Sequence, residues 1–349
     1  MTEKSAAETS VDTKARLGLV RRNAVELIGE AELAEKLERK KNVSAYVGRA
    51  TTGPLHIGHV ISISKLLDLQ KAGITTKILL ADIHAALDDQ KAKWNELDKR
   101  VEYTRKCIEL SFDWNTSPEY VRGSDYQLSR EYVLDVFKMA SLATIERAKR
   151  AASEVTRMKN PKVSELIYPV FQALDEQYLN VDMQVGGLDQ RHILVFAREY
   201  LPLLGYEKRA ELMMPIVTSM RGPGAKMSSS TPESHMKVYE TPETIIKKIN
   251  QAYCPEGVVE DNFILQLTRF MIFADQDSLV VERETRFGGE MRFDSYEQLE
   301  RSFLRKEIHP KDLKAVVSQY LIKKFSRVRS YFGSNPDLLK ELGPAFLPS

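Results

Sequence analysis

The sequence predicts an α/β fold: a parallel-sheet domain with a helical insertion, followed by a mainly α-helical C-terminal domain. Three observations carry this. Apolar runs at 43–47 and 74–81 flank a helical pattern at 61–72, the strand–helix–strand order of a βαβ unit. A third apolar run at 183–187 resumes strand character only after a long helical stretch from Ser129 to Tyr178, too long for a simple crossover. From Pro242 onward helical periodicity prevails, apart from an irregular section at 278–293.

Taken in order, Met1 to Lys14 is polar and lacks an apolar signal region, so a disordered tail is expected at 1–14. Leu17 to Arg39 reads as helices. The first strand, at 43–47, leads through a turn into a helix that Gly73 stops. The second strand follows at 74–81. Trp94 to Leu110 reads as a helix and Tyr120 to Gly123 as a short strand. The helices after Ser129 form an insertion, placed at about 115–180, between two halves of the sheet. Strands at 183–187 and 213–218 complete it. Gly222, Pro223 and Gly224 then open a loop that carries Lys226 to Ser230. This gives a catalytic domain at 15–230 and a helical domain with a C-terminal extension at 231–349.

Composition bounds the function. The 349 residues suffice for two or three domains, and 43% hydrophobic with 29% charged content is ordinary for a soluble protein. No apolar run is long enough for a membrane span. Cys107 and Cys254 are isolated, so neither a disulfide framework nor a zinc site is indicated, as expected in a cytoplasmic protein. A net charge of +2 does not announce a nucleic-acid binder; RNA contacts would rest on local patches.

The most pointed stretch is Thr51-Thr52-Gly53-Pro54-Leu55-His56-Ile57-Gly58-His59. It lies after the first strand, and ligands of parallel sheets bind at strand carboxyl ends. His56 and His59 share a face of the first helical turn. Gly58 admits a ligand close to the backbone, and a helix start favours phosphate. Far along the chain stands Lys226-Met227-Ser228-Ser229-Ser230. Together the two stretches resemble the paired signatures of class I aminoacyl-tRNA synthetases.

Between them, Tyr168, Gln172 and Asp175 fall at i, i+4 and i+7 on one helix face. The run 168–175, the run 185–190, Ser44-Ala45-Tyr46 and Leu79 to His84 resemble tyrosyl-tRNA synthetases of the archaeal and eukaryotic branch. The likeness covers roughly 17–329. It implies a Rossmann-like sheet, and a homodimer formed through the inserted helices. Tyr46 and Asp175 would contact the tyrosine hydroxyl, and Tyr168, Gln172 and Gln190 its amino group. Asp82 lies at a strand end near the same pocket, with His84 beside it.

The resemblance also places ATP. His56, His59, Lys226 and Ser229 would serve the adenylation step, with Gly48, Gly58, Gly187, Asp189, Ile216, Met227 and Ser228 around the nucleotide. Gly186 permits backbone contact near the ribose. Mg²⁺ would ride on the ATP phosphates rather than in a protein cage. For tRNA(Tyr), Arg150 and Arg191 would meet the acceptor stem; Arg150 belongs to a basic cluster with Arg147, Lys149, Arg157, Lys159 and Lys162. Phe287 would stack on an anticodon base, and Asp312 would accept from a guanine edge.

Two other readings stand beside this one. A tryptophanyl-tRNA synthetase shares the fold, but the pair Tyr46 and Asp175 suits a phenol better than an indole. A catalytically silent RNA-binding paralogue would be expected to have lost His56, His59 or Lys226.

Overall fold

The computed structural model describes residues 3–39, 42–89, 91–154, 162–226 and 234–349. The chain forms two compact units. The first comprises residues 1–52, 65–105 and 114–215; the second comprises 53–64, 106–113 and 216–349.

The first unit is built on a six-stranded sheet. Its strands are β1 (Glu26–Ile28), β2 (Ser44–Ala50), β3 (Thr75–Ala81), β4 (Glu119–Arg122), β5 (Met183–Gly187) and β6 (Ala210–Met214), in the order β1-β6-β5-β2-β3-β4. All neighbours are parallel except β1, which pairs antiparallel with β6. The chain runs from β2 outward to β3 and β4, then returns to place β5 on the other side of β2. That reversal makes the carboxyl ends of β2 and β5 the topological switch point, where open α/β sheets bind ligands.

The expected βαβ unit is present: β2, helix α3 (Ile57–Lys71) and β3. Gly73 follows that helix at φ +69°, a left-handed position that side chains resist. Other expectations need correction. The polar N-terminal stretch, expected as a tail, is helical from Glu3 in α1 (Glu3–Arg21). The region read as helices through Arg39 contains β1 before α2 (Glu30–Arg39). Three residues are too few to show an alternation, and they become a strand only by pairing with β6 far along the chain.

After β3 come α4 (Asp82–Leu87), α5 (Leu97–Ser111) and, beyond β4, α6 (Ser124–Gln127). The inserted helices are α7 (Arg130–Leu142), α8 (Ile145–Ala152) and α9 (Val163–Tyr178), and α10 (Arg191–Tyr200) follows β5. Ser129 caps α7 by accepting from Tyr132 N, and Thr144 caps α8 by accepting from Arg147 N. Their shared core includes Tyr132, Met139, Ala173, Leu174, Ile193 and Phe196, all essentially without exposure.

The second unit holds the motif turn. Ile57 N donates to Met236 O at 3.0 Å and Val238 N to Leu55 O at 3.2 Å, with an isolated bridge between His56 and Lys237. These bonds place residues 53–64 with the C-terminal half, so the units cut the chain differently from the expected boundary at 230. Lys226, expected on a loop, ends a strand, Gly222–Lys226, that pairs antiparallel with Thr218–Ser219. The C-terminal helices include Pro242–Gln251, Tyr296–Leu304 and Pro310–Lys324. No described helix is long and apolar enough to cross a membrane.

Candidate functional site

A cavity of about 160 Å³ opens in the first unit at the carboxyl ends of the central strands. β2 contributes Tyr46, Gly48 and Arg49, β3 contributes Leu79 and Ala81, β5 contributes Gln184, and α9 contributes Tyr168, Gln172 and Asp175. Gln190 completes the wall, with His84 and Asp88. Five of the six residues expected at the amino acid therefore line one cavity, though they come from widely separated parts of the chain.

Asp175 is its most constrained member, with no exposed surface. Its Oδ1 accepts three hydrogen bonds, from the Tyr126 hydroxyl (2.7 Å), Gln127 Nε2 (2.7 Å) and the Tyr132 hydroxyl (3.0 Å). Its Oδ2 has His84 Nε2 at 3.4 Å without hydrogen-bond geometry, and makes no hydrogen bond among the described residues. The Tyr46 hydroxyl, also fully buried, likewise makes none. Native proteins rarely leave such atoms unpaired, because each costs about 1–3 kcal/mol.

Electrostatics sharpen these assignments. Burial pushes the Asp175 carboxyl up, while His84 and the three donors pull it back. Burial and then Asp175 raise the Tyr46 hydroxyl, so it is a neutral phenol. Burial lowers His84, against the pull of Asp175, Asp82 and Asp88. Gln127 Nε2 lies 3.4 Å from His84 Nδ1. An amide donor there leaves the ring proton on Nε2, on the side of Asp175.

At the other end, Gln172 Nε2 donates to Gln190 Oε1 at 3.1 Å, and the Tyr168 ring meets His84 edge-on at 4.8 Å. The two glycines that end β5 are crowded by their own neighbours. A Cβ at Gly187 would lie 2.4 Å from Asp189 Oδ1, and one at Gly186 would lie 2.9 Å from Gln190 Oε1.

Asp82 does not belong to this wall. Its Oδ2 accepts from Arg122 Nε at 2.7 Å, and its Oδ1 accepts from Ile83 N and Ser124 N, each at 2.9 Å. Both oxygens are committed to tying α4, β4 and α6 together. Conversely, Tyr126, Gln127 and Tyr132 were not singled out in the sequence. Nothing in their local pattern marks them; only their convergence on Asp175 does.

In the second unit, His56 is 3% exposed and donates its backbone N–H to His59 Nδ1 at 3.2 Å. The two rings stack with centroids 3.5 Å apart, and His235 brings a third ring to 5.1 Å from His56. Gly58 lies in the first turn of α3, and Ile216 is 39% exposed. Met227, Ser228 and Ser229 lie outside the described residues.

The residues expected at RNA are spread over both units. Arg150 is exposed on α8. Arg191 is bound bidentately to Glu26, at 2.7 and 2.9 Å. Of the rest of the basic cluster, Arg147 pairs with Glu199 and Lys162 with Asp89, while Arg157 and Lys159 lie outside the described residues. Phe287 closes a short 3-10 turn before Gly288, whose φ is +97°. Asp312 is half-buried in the first turn of the helix Pro310–Lys324, its N–H donating to His309 O at 3.0 Å.

Residues 38–326 match the family model of class I tRNA synthetases for tryptophan and tyrosine. The tyrosine–tRNA ligase of Archaeoglobus fulgidus is 44% identical over 89% of this chain and 95% of its own length. The cytoplasmic tyrosine–tRNA ligase of Danio rerio is 41% identical over 94% of this chain, which spans 62% of that longer protein. The crystal structure of the A. fulgidus tyrosyl-tRNA synthetase complexed with L-tyrosine superimposes with a TM-score of 0.87 at 42% identity, covering 91% of this chain and 99% of that one. The chain belongs to the tyrosine–tRNA ligase family of class I tRNA synthetases.

Proposed function

We propose that this chain activates L-tyrosine with ATP and passes the tyrosyl group to the 3′-terminal ribose of tRNA(Tyr). The observation that carries the reading is the pair of buried polar atoms in the cavity, the Tyr46 hydroxyl and Asp175 Oδ2, which have no hydrogen-bond partner among the described residues. A phenol satisfies both, donating to the carboxylate and accepting from Tyr46. Phenylalanine satisfies neither. An indole N–H donates to the carboxylate but offers Tyr46 no acceptor, which separates tyrosine from tryptophan.

Tyr168, Gln172 and Gln190 supply oxygens for the substrate's ammonium group. The tyrosine carboxylate, ionised at neutral pH, attacks the α-phosphate of ATP and pyrophosphate departs. No protein nucleophile is needed, so catalysis is positioning and charge stabilisation. His56, His59 and Lys226 are assigned to the phosphates, with Ser229 in the same motif. Gly48, Gly58, Gly187, Asp189, Ile216, Met227 and Ser228 are assigned to the nucleotide. Mg²⁺ is part of the ATP substrate, held on phosphate oxygens.

For tRNA we assign Arg150 and Arg191 to the acceptor stem, and Phe287 and Asp312 to the anticodon. The Glu26 carboxylate on Arg191 is then displaced by, or shares the guanidinium with, RNA phosphate. The domains follow: 15–230 for chemistry and 231–349 for the anticodon. A homodimer through the inserted helices is supported by the apolar face of α7, where Leu134 is 50% and Phe137 65% exposed. The setting is the cytoplasm.

The test is amino-acid-dependent pyrophosphate exchange. Tyrosine is expected to drive exchange, with phenylalanine and tryptophan near background. Exchange driven by tryptophan, or by none of the three, sinks the reading.

A further inference from the structure

Arg49 has no role in the mechanism above. It stands near the end of β2, on the strand that also carries Tyr46 and Gly48, and it lines the cavity with Tyr168, Gln172 and Gln190. Several other arginines of this unit are ion-paired: Arg100 with Glu96 at 2.9 Å, Arg122 with Asp82 at 2.7 Å and Arg191 with Glu26 at 2.7 Å. Arg49 has no such carboxylate among the described residues. The groups that act most on its charge are two phenols, Tyr103 and Tyr168. The cavity's acidic residues are engaged elsewhere. Asp88 is ion-paired with Lys91, its Oδ2 2.6 Å from Nζ and its Oδ1 without a hydrogen bond among the described residues, and Asp175 Oδ1 is held at the far end by its donors. Burial lowers Arg49 to about 10, which still leaves it cationic at neutral pH.

A half-buried guanidinium without a counter-ion carries part of the desolvation cost of a buried charge, and an anionic ligand relieves it. The tyrosine reading, on which this step rests, fills the cavity with a zwitterion. Its phenol goes to Tyr46 and Asp175, and its ammonium to Tyr168, Gln172 and Gln190. The one charged group left over is the carboxylate.

We propose that Arg49 binds the α-carboxylate of the amino-acid substrate and presents it as the nucleophile of the first step. One carboxylate oxygen is held by the guanidinium. The other forms the new bond to the α-phosphorus. The bond from that phosphorus to the bridging oxygen breaks, its electron pair leaving with pyrophosphate, and no proton moves. The guanidinium offsets the repulsion between two anions that must meet, and it does so in a cavity where little water screens them. Arginine suits the position because its planar fork fixes a carboxylate in orientation as well as in place.

The test compares L-tyrosine with L-tyrosinol, which keeps the phenol and the ammonium and lacks the carboxylate. Equilibrium binding of both is measured on the wild-type protein, Arg49→Met and Arg49→Lys. The methionine variant is expected to lose about tenfold or more in affinity for tyrosine while binding tyrosinol within about twofold of wild type, a selective loss that a merely structural role does not produce. The retained tyrosinol binding also shows that the cavity is intact. The lysine variant, which keeps the charge without the fork, is expected between the two. An unchanged tyrosine affinity, or a parallel loss for both ligands, overturns the proposal. If the methionine variant does not fold, the lysine variant decides, and an unchanged tyrosine-to-tyrosinol ratio overturns it. A wild-type protein that binds neither ligand overturns the tyrosine reading itself, and the role of Arg49 with it.

Discussion

The amino-acid cavity and the His-Ile-Gly-His turn are built in opposite ways. The cavity wall is assembled from β2, β3, β5, α4 and α9, and its polar atoms are fixed by partners distant in sequence, as Asp175 is by Tyr126, Gln127 and Tyr132. The turn is local. His56 and His59 are three residues apart, their rings stack, and the backbone of one donates to the ring of the other. The difference follows from what each is proposed to recognise. A small aromatic amino acid needs a closed, shape-specific enclosure with few, exact polar partners. A polyphosphate needs donors on a rigid backbone, which a helix start supplies within a few residues.

If the comparison is right, damage to the cavity abolishes choice of substrate and damage to the turn slows chemistry with choice intact. Asp175→Ala gives the largest expected effect. It removes the acceptor for the substrate hydroxyl and orphans the Tyr126 hydroxyl and Gln127 Nε2, each costing about 1–3 kcal/mol when buried, while the Tyr132 hydroxyl keeps Phe171 O at 2.9 Å. Tyrosine-dependent exchange is expected to fall about a thousandfold or more in kcat/KM, roughly 4 kcal/mol at 1.36 kcal/mol per decade. Wild-type exchange kinetics in this variant would remove Asp175 from the site.

His59→Ala is next. Losing one group that stabilises developing charge typically costs about a hundredfold or more in kcat. Binding of tyrosine in the absence of ATP is expected to be unchanged. A variant with normal kcat and weakened tyrosine binding would reverse the division of labour between the two regions.

The same contrast explains what was legible in the sequence. The βαβ unit was readable because apolar runs, helical spacing and Gly73 all act over short range. The motif turn was readable for the same reason. Tyr46, Tyr168, Gln172, Asp175 and Gln190 were reached through family resemblance, and the cavity gathers all five. At Asp82 the local pattern shows a strand-end carboxylate and not Arg122, on a different strand, which holds it. β1 was hidden because its partner lies in β6. Arg49 reads as an ordinary strand residue, and only its place on the cavity wall sets it apart. Long-range pairing was the missing information in every case.

Tyr46→Phe sharpens the cavity side with a smaller effect. The hydroxyl it deletes is buried and makes no hydrogen bond among the described residues, so the folded protein loses nothing and is relieved of an unpaired polar atom. Thermal stability is expected to hold or rise slightly. Discrimination of tyrosine over phenylalanine in pyrophosphate exchange is expected to drop by roughly tenfold, the worth of about one hydrogen bond. Lower stability together with unchanged discrimination would show that the hydroxyl is structural.

The smallest expected effect tests whether the wall behind the cavity is independent of the substrate site. Glu176 follows Asp175 on α9 and faces Glu211 of β6, and both carboxyls are fully buried. Burial is the largest cause of the upward shift in each; Glu176 rises to about 8, against the pull of Arg209, and Glu211 is pushed up further by Glu176. Two such groups cannot both ionise, so the folded state keeps a proton that the unfolded chain releases near pH 4.5. Between pH 4.5 and about 8 the folded protein therefore binds more protons than the unfolded chain, and stability falls as pH rises through that window. Glu211→Gln replaces one carboxyl by a neutral amide of the same size and removes one of the two ionisable groups. The melting temperature of the wild type is expected to drop between pH 5 and pH 8, and that of the variant to drop less, by a few degrees. Tyrosine affinity is expected to be the same in both. Equal melting slopes would remove the shared proton, and a change in tyrosine affinity would join this wall to the substrate site.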